Sequence, residues 1–190
     1  MKRTQKLSLT AVMGATAIIT SLMKIEIPFP ILYYLKIDFA EIPAYLTYFL
    51  VGAKLGILCG SFHFIGLALR SGDILGPLMK YLAEISNILG MFIGARISKK
   101  RVIEIGAGIL SRIFIMSIAN LLVLGVLFPS YLYFSKMLLE KSGLYIASLQ
   151  EALYYTLIIV ALFNTTNSVL SVIPALLAYK SIGKRLKLAP

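Results

Sequence analysis

The chain has 190 residues, of which 59% are hydrophobic and 14% charged, and a mean hydropathy of +0.88; soluble domains run at roughly 45–50% apolar and about 25% charged. At about 20 residues per span, there is room for six transmembrane helices in a single domain over residues 1–190, and none for a second, soluble domain. The single cysteine, Cys59, excludes an internal disulfide or a cysteine-based metal cluster.

Lys2, Arg3 and Lys6 precede a first span, Leu7–Met23. The run is long and carries no A-x-A-like site, so it is expected to stay as a helix and not to be cleaved. The next stretch, Ile25–Pro43, contains Pro28, Pro30 and Pro43 and cannot be one continuous helix. It is unusually aromatic, with Phe29, Tyr33, Tyr34 and Phe39, and its charges nearly cancel. It reads either as a lid over a pocket or as a belt of aromatics at headgroup level. A short second span, Ile42–Val51, extends at its start through Asp38–Glu41. A third covers Leu55–Leu69. The break Arg70–Pro77 holds Gly72, Asp73 and Gly76 and can start the next helix. A fourth span, Leu78–Ile97, ends at the basic cluster Ser98–Arg101. A fifth, Ile103–Phe128, stops at Pro129. An amphipathic connection, Ser130–Gln150, leads to a last span, Ala152–Tyr179, where Pro174 predicts a kink.

Charge orients these spans. With the N-terminus in the cytoplasm, the inner side holds Lys2, Arg3, Lys6, Lys54, Arg96, Lys99, Lys100, Arg101, Lys180, Lys184, Arg185 and Lys187, opposed only by Glu104. The outer side holds five cations against six acids. The net charge of +11 is therefore what the positive-inside rule predicts for a multi-pass protein with both ends cytoplasmic. It needs no nucleic acid. The partner it implies is the bilayer.

Catalytic motifs are missing. With one histidine, His63, there is no H-E-x-x-H; there is also no P-loop and no G-x-S-x-G elbow. A non-enzyme with no metal site is expected. Small residues at Ala11/Ala15, Gly52/Gly56/Gly60 and Gly90/Gly94 have the spacing that lets helix backbones approach, within the bundle or, for Ala11 and Ala15, against a partner. Polar residues inside spans are costly in lipid. Lys80, Glu84 and Asn87 share one face of the fourth span, with Lys80 and Glu84 able to neutralise each other. Asn120, Asn164 and Asn167 offer carboxamides that suit an imide edge or serve as interhelical glue. His63 and Arg112 read as packed or snorkelling residues. Two other uses of this set are a small membrane-embedded enzyme built on Lys80, Glu84 and His63, and an ion or proton path along Lys80–Glu84–Asn87.

Several stretches resemble the S components of prokaryotic energy-coupling factor (ECF) vitamin transporters, and the riboflavin-specific members most. They are IPFPILYYLKIDFAEIP (Ile27–Pro43), GAKLGIL (Gly52–Leu58), SGDILGP (Ser71–Pro77), ANLLVLGVLFP (Ala119–Pro129) and LFNTTN (Leu162–Asn167). The resemblance implies an all-α fold of six membrane helices with a pocket near the outer face, closed by the first loop and the Gly72–Asp73 turn. It implies that Asn120 and Asn164 meet the polar edge of a flavin ring. Lysine is expected one turn after the second Asn, where this chain has Asn167, and a Lys-Asn pair is expected where it has His63-Phe64. The ligand set it suggests is Phe29, Tyr33, Tyr34, Asp38, Phe39, Gly72, Asp73, Lys80, Glu84, Asn120, Asn164 and Asn167. The transported ligand is then riboflavin, or else a different vitamin or precursor, and there is no resident cofactor. Uptake would need a transmembrane coupling subunit, docked on Ala11 and Ala15, and two separate ATPases.

Overall fold

Residues 3–22 close into the first helix, α1 (Arg3–Leu22), and the structure, a computed structural model, describes residues 1–186 of the chain. An antiparallel two-stranded ribbon follows, β1 (Glu26–Pro28) and β2 (Lys36–Asp38), with Glu26 opposite Asp38, Ile27 opposite Ile37 and Pro28 opposite Lys36. This is a departure from the all-α expectation. Three-residue strands are too short to show a period, and Pro28 fits because it ends its strand, where its missing N–H costs no ladder bond.

Asp38 caps a single 3₁₀ turn, Phe39–Glu41, by accepting from the Ala40 N–H at 2.9 Å. That turn runs into α2 (Ile42–Val51), whose first turn holds Pro43, a position where a missing N–H is harmless. Gly52, at φ 100°, separates α2 from α3 (Ala53–Ser71), and Gly72, at φ 70°, ends α3. Both have a positive φ, which favours glycine. α4 (Leu75–Ile97) starts three residues earlier than the apolar run alone suggests, because the Asp73 carboxylate accepts from the N–H groups of Leu75 and Gly76. α5 (Arg101–Leu122) continues through a wide π turn, Val123–Leu127. The amphipathic connection folds into a further helix, α6 (Pro129–Lys141), with Leu132, Ser135, Leu138 and Leu139 buried. α7 (Leu149–Leu186) carries Pro174 within its length.

Seven helices therefore form among the described residues, one more than the six spans expected, and the extra one is α6. By length and apolar composition alone, three stretches can cross a membrane: Ala53–Ser71, Arg101–Leu127 and Leu149–Ile182. α1 and α4 have 20 and 23 residues, enough for a core about 30 Å thick at about 1.5 Å per residue. α2, with 10 residues, is half that length and is covered by neighbours on almost every side.

The main packing pairs are α4 with α5, α1 with α3, α2 with α3 and α7, and α5 with α7. The Gly90/Gly94 pair brings α4 against α5: a Cβ at Gly90 would lie 2.5 Å from the Ala107 carbonyl and the Ser111 Cβ, a distance no side chain tolerates. One apolar core joins α2, α4 and α7 through Tyr45, Phe49, Ile88, Met91 and Val172. A second, at the end where the ribbon sits, plugs Leu32 of the β1–β2 connection among Leu124, Leu132, Leu139 and Ile159. Lys187 lies outside the described residues, as do the side chains of Lys184 and Arg185.

Candidate functional site

The ribbon and its tip lean over one end of the bundle. Beneath them is a cavity of about 450 Å³, within the roughly 300–1,000 Å³ usual for small-molecule sites. α3, α4, α5 and α7 supply its walls, and α6 and the ribbon connection supply its roof. Apolar side chains line most of it, among them Leu67, Met79, Met116, Leu124, Val160 and Phe163.

The roof is latched. Tyr34 lies 3.0 Å from the Ser135 hydroxyl on α6. Ser135 gives its own hydrogen to the Tyr131 carbonyl at 3.0 Å, so Tyr34 is the donor. Burial raises the Tyr34 phenol above its ordinary range, against the lowering effect of Ser135, which keeps it protonated as that donor. Tyr33 and Tyr34 both contact Phe134 with ring centroids 6.2 Å apart, and Phe29 meets Phe163 edge-on at 5.5 Å.

The floor is a buried ion pair. Arg112, at the middle of α5, is 1% exposed. Its guanidinium donates to both Glu41 oxygens, at 2.7 and 3.1 Å, to the Tyr45 hydroxyl at 3.0 Å and, through Nε, to Asn164 Oδ1 at 3.0 Å. Four of its five N–H donors are thereby used. Asn164 also donates to the Val160 carbonyl at 2.8 Å. Asn120 donates to the Met116 carbonyl at 2.8 Å, which leaves its Oδ1 and one N–H for a ligand.

At the rim, Glu26 accepts from Arg70 and lies 3.2 Å from Lys36 and 3.3 Å from Lys80. Burial alone would raise its carboxyl, but the Arg70 hydrogen bond and the charges of Lys80 and Arg70 lower it below the ordinary value. Asp38 sits behind the rim, 2.7 Å from Lys80 and 3.5 Å from His63. Burial opposes its ionisation, yet its hydrogen bond to His63 and the charge of Lys80 hold the carboxyl well below the usual range.

Of the residues expected from sequence, Tyr34, Asp73, Lys80, Asn120 and Asn164 line the cavity. The others stand off it. Phe29 and Tyr33 back lining aromatics, and Gly72 shapes the turn between the lining residues Ser71 and Asp73. Phe39 belongs to the 3₁₀ turn. Asn167 is a tie: its Oδ1 accepts from the Asp38 backbone N–H at 3.1 Å and its Nδ2 donates to Glu41 at 2.7 Å. The expected Lys80–Glu84 pair does not form. Glu84 instead meets His63 at 2.9 Å, because Lys80 reaches outward to Glu26 and Asp38. Glu84 and His63 are fully buried and do not border the cavity, so the Lys80, Glu84 and His63 set cannot act on a substrate bound there. Asn87 is tied to Tyr45 and Ser168.

Arg112 reads from the sequence as packed or snorkelling, whereas it is a cavity residue with a complete anchor. Its place inside an apolar span is the available signal, since an intramembrane charge marks a functional site by default. Arg70, Tyr131 and Phe134 also line the cavity, and residue type alone does not single them out as ligands. Among the described residues, no group of three or more His, Cys, Asp or Glu side chains is arranged to hold a metal ion.

Ala11 and Ala15 face away from the bundle, together with Val12 and Ile19, while Thr10, Gly14, Ala17 and Ser21 face inward.

A family model described as "ECF transporter, substrate-specific component" matches residues 5–184. A solved structure titled "Structure and mechanism of the S component of a bacterial ECF transporter" superposes with a TM-score of 0.71 at 23% identity, covering 98% of this chain and 99% of that one. No curated protein matches.

Proposed function

The chain belongs to the family of substrate-specific components of ECF transporters, and from that premise we propose that its substrate is riboflavin. Family membership makes it a multi-pass membrane transport protein and not an enzyme, a substrate-binding component that works with the other subunits of an ECF complex. The finer reading has this single transmembrane domain capture the vitamin at the outer face, with both termini in the cytoplasm.

The observation that carries the flavin assignment is the donor and acceptor set left over around the cavity. Arg112 retains one N–H, Asn164 one N–H, and Asn120 an Oδ1. An imide edge presents carbonyl, N–H, carbonyl, and asks for donor, acceptor, donor. The remaining wall is apolar and aromatic, through Met79, Met116, Leu124 and Phe163, which suits the faces of a flat ring system. The lysine that the riboflavin pattern places one turn after Asn164 is not required on this account, because Asn167 is spent on the ribbon and Arg112 supplies the cation.

Transport itself requires a coupling subunit and two ATPases. The exposed small-residue face at Ala11 and Ala15 supports docking of the coupling subunit there. The deciding experiment is to purify the full chain in detergent and record its absorption spectrum, then titrate it with riboflavin. A yellow preparation, or quenching of riboflavin fluorescence, is expected. A colourless protein that leaves the fluorescence unchanged refutes riboflavin.

A further inference from the structure

His63 and Glu84 are buried titratable groups that take no part in the cavity wall. The histidine ring lies between two carboxylates carried by different elements. Its Nδ1 is 2.9 Å from Glu84 on α4, and its Nε2 faces Asp38, at the end of β2, across 3.5 Å. The three side chains are at most 2% exposed. Gly60, one turn before His63 on α3, makes room for this arrangement. A Cβ there would press on the Glu84 carboxyl carbon at 3.2 Å, so the carboxylate rests against the helix backbone.

Charge decides what the ring must be. Lys80 stands 2.7 Å from Asp38, is shared with Glu26 and makes no ion pair with Glu84. Arg112 on α5 is taken up by Glu41 and by Tyr45 on α2. α1, which also packs on α3, turns Thr10, Gly14, Ala17 and Ser21 inward and no charge. A neutral ring can give only one proton, and its other nitrogen would turn a lone pair toward a carboxylate. One buried anion would then go unpaired, which is costly inside a membrane protein. An imidazolium gives a proton to each side. Two cations, His63 and Lys80, then answer two anions, Asp38 and Glu84.

We infer that His63 is held as an imidazolium and serves as a positioning residue for the cavity roof. Its charge clamps Asp38, and with it the end of β2, onto α3 and α4, and sets Asp38 where it meets the lining residue Lys80. The ribbon is thus held at its base as well as by the Tyr34 bond at its tip. This clamp does not depend on which substrate the cavity takes.

His63 is the only histidine in the chain, so one signal carries the test. The full chain, purified in detergent with a histidine-free affinity tag and labelled with ¹⁵N in histidine, is studied by NMR at neutral pH. Both ring nitrogens are expected to carry hydrogen, with the shifts of an imidazolium. A neutral ring, including one whose proton has passed to Glu84, overturns the inference. The second measurement is amide exchange of residues 26–38, set against that of the α5 interior in the same sample. His63→Gln should speed exchange in the ribbon about tenfold, the equivalent of one charge-assisted bond, and leave α5 unchanged. His63→Lys, which returns the charge, should restore protection to within about threefold of the wild type. Wild-type exchange in His63→Gln, equal acceleration of ribbon and α5, or no recovery in His63→Lys overturns the positioning role. The labelled wild type decides the matter on its own should a variant fail to fold.

Discussion

Removing one hydroxyl from the roof should open the cavity faster. In Tyr34→Phe the bond from Tyr34 to Ser135, 3.0 Å long and partly buried, is lost while the ring and its contact with Phe134 remain. A net hydrogen bond contributes about 0.5–1.5 kcal/mol, which converts to about a two- to thirteenfold faster release of ligand if the latch must break first. The assay is stopped-flow dissociation of riboflavin from the detergent-solubilised protein, chased with excess unlabelled competitor. Tyr33→Phe is the control: Tyr33 is exposed and meets Phe134 only through its ring, so its off-rate should match the wild type. Ser135→Ala should speed release as Tyr34→Phe does, and the double variant should add nothing further, as expected for two members of one bond. An unchanged off-rate in Tyr34→Phe, or full additivity in the double variant, refutes the latch and leaves the loop as an interfacial aromatic belt.

Asn120→Ala and Asn164→Ala should each weaken riboflavin binding by about 1–3 kcal/mol, the cost of an unpaired buried partner, measured by fluorescence titration; wild-type affinity in both removes the carboxamides from the site. Arg112→Met should cost about 3–5 kcal/mol of stability by leaving Glu41 buried and unpaired, and adding Glu41→Met should recover much of it in a thermal melt. Replacing Ala11 and Ala15 together with leucine should abolish co-purification with the coupling subunit and spare ligand binding, since both side chains point away from the cavity; intact co-purification moves the docking face elsewhere. The carboxyls of Glu26 and Asp38 are lowered in the folded state, so their stabilising effect is complete above the ordinary carboxylate pKa of about 4 and is lost only as pH falls below it. Amide exchange protection of the ribbon should accordingly hold from about pH 8 to about pH 5, as judged from rates corrected for intrinsic exchange, and drop in stronger acid.

The helices could be read from the sequence because lipid forces long apolar runs and leaves most charges in the stretches between them. The edges of those helices were less legible, for local reasons. Asp73 pulls the start of α4 back to Leu75 through a side-chain cap, and the π turn carries α5 on to Leu127. The β1–β2 ribbon left no periodic trace in six residues. α6 hid in a segment whose buried positions, Leu132, Ser135, Leu138 and Leu139, include a serine. In the cavity, residue type pointed to Asn120 and Asn164 but could not say who pairs with whom. The i, i+4 spacing of Lys80 and Glu84 suggested a mutual pair, and the competing partners lie 42 and 21 residues away, at Asp38 and His63. The pairing of Arg112 with Glu41 leaves no local trace in the sequence, because the two lie 71 residues apart.

The ties at Asp38 and Glu41 also bear on how the chain is made. Glu41 is neutralised by Arg112 on α5 and capped by Asn167 on α7, and Asp38 gives its backbone N–H to the same Asn167, 129 residues downstream. A chain inserted from its N-terminus exposes α2, ten residues long and headed by two acids, long before either partner has been synthesised. Such a segment has no means to rest in hydrocarbon alone. Its Glu41 is neutralised only once α5 arrives, and the last tie to the ribbon, at Asn167, forms only when α7 does. The ribbon end of this bundle is therefore the last part to be completed, and a ribosome-bound chain stopped after α5, before α6 supplies Ser135, should still have the ribbon tip open to protease.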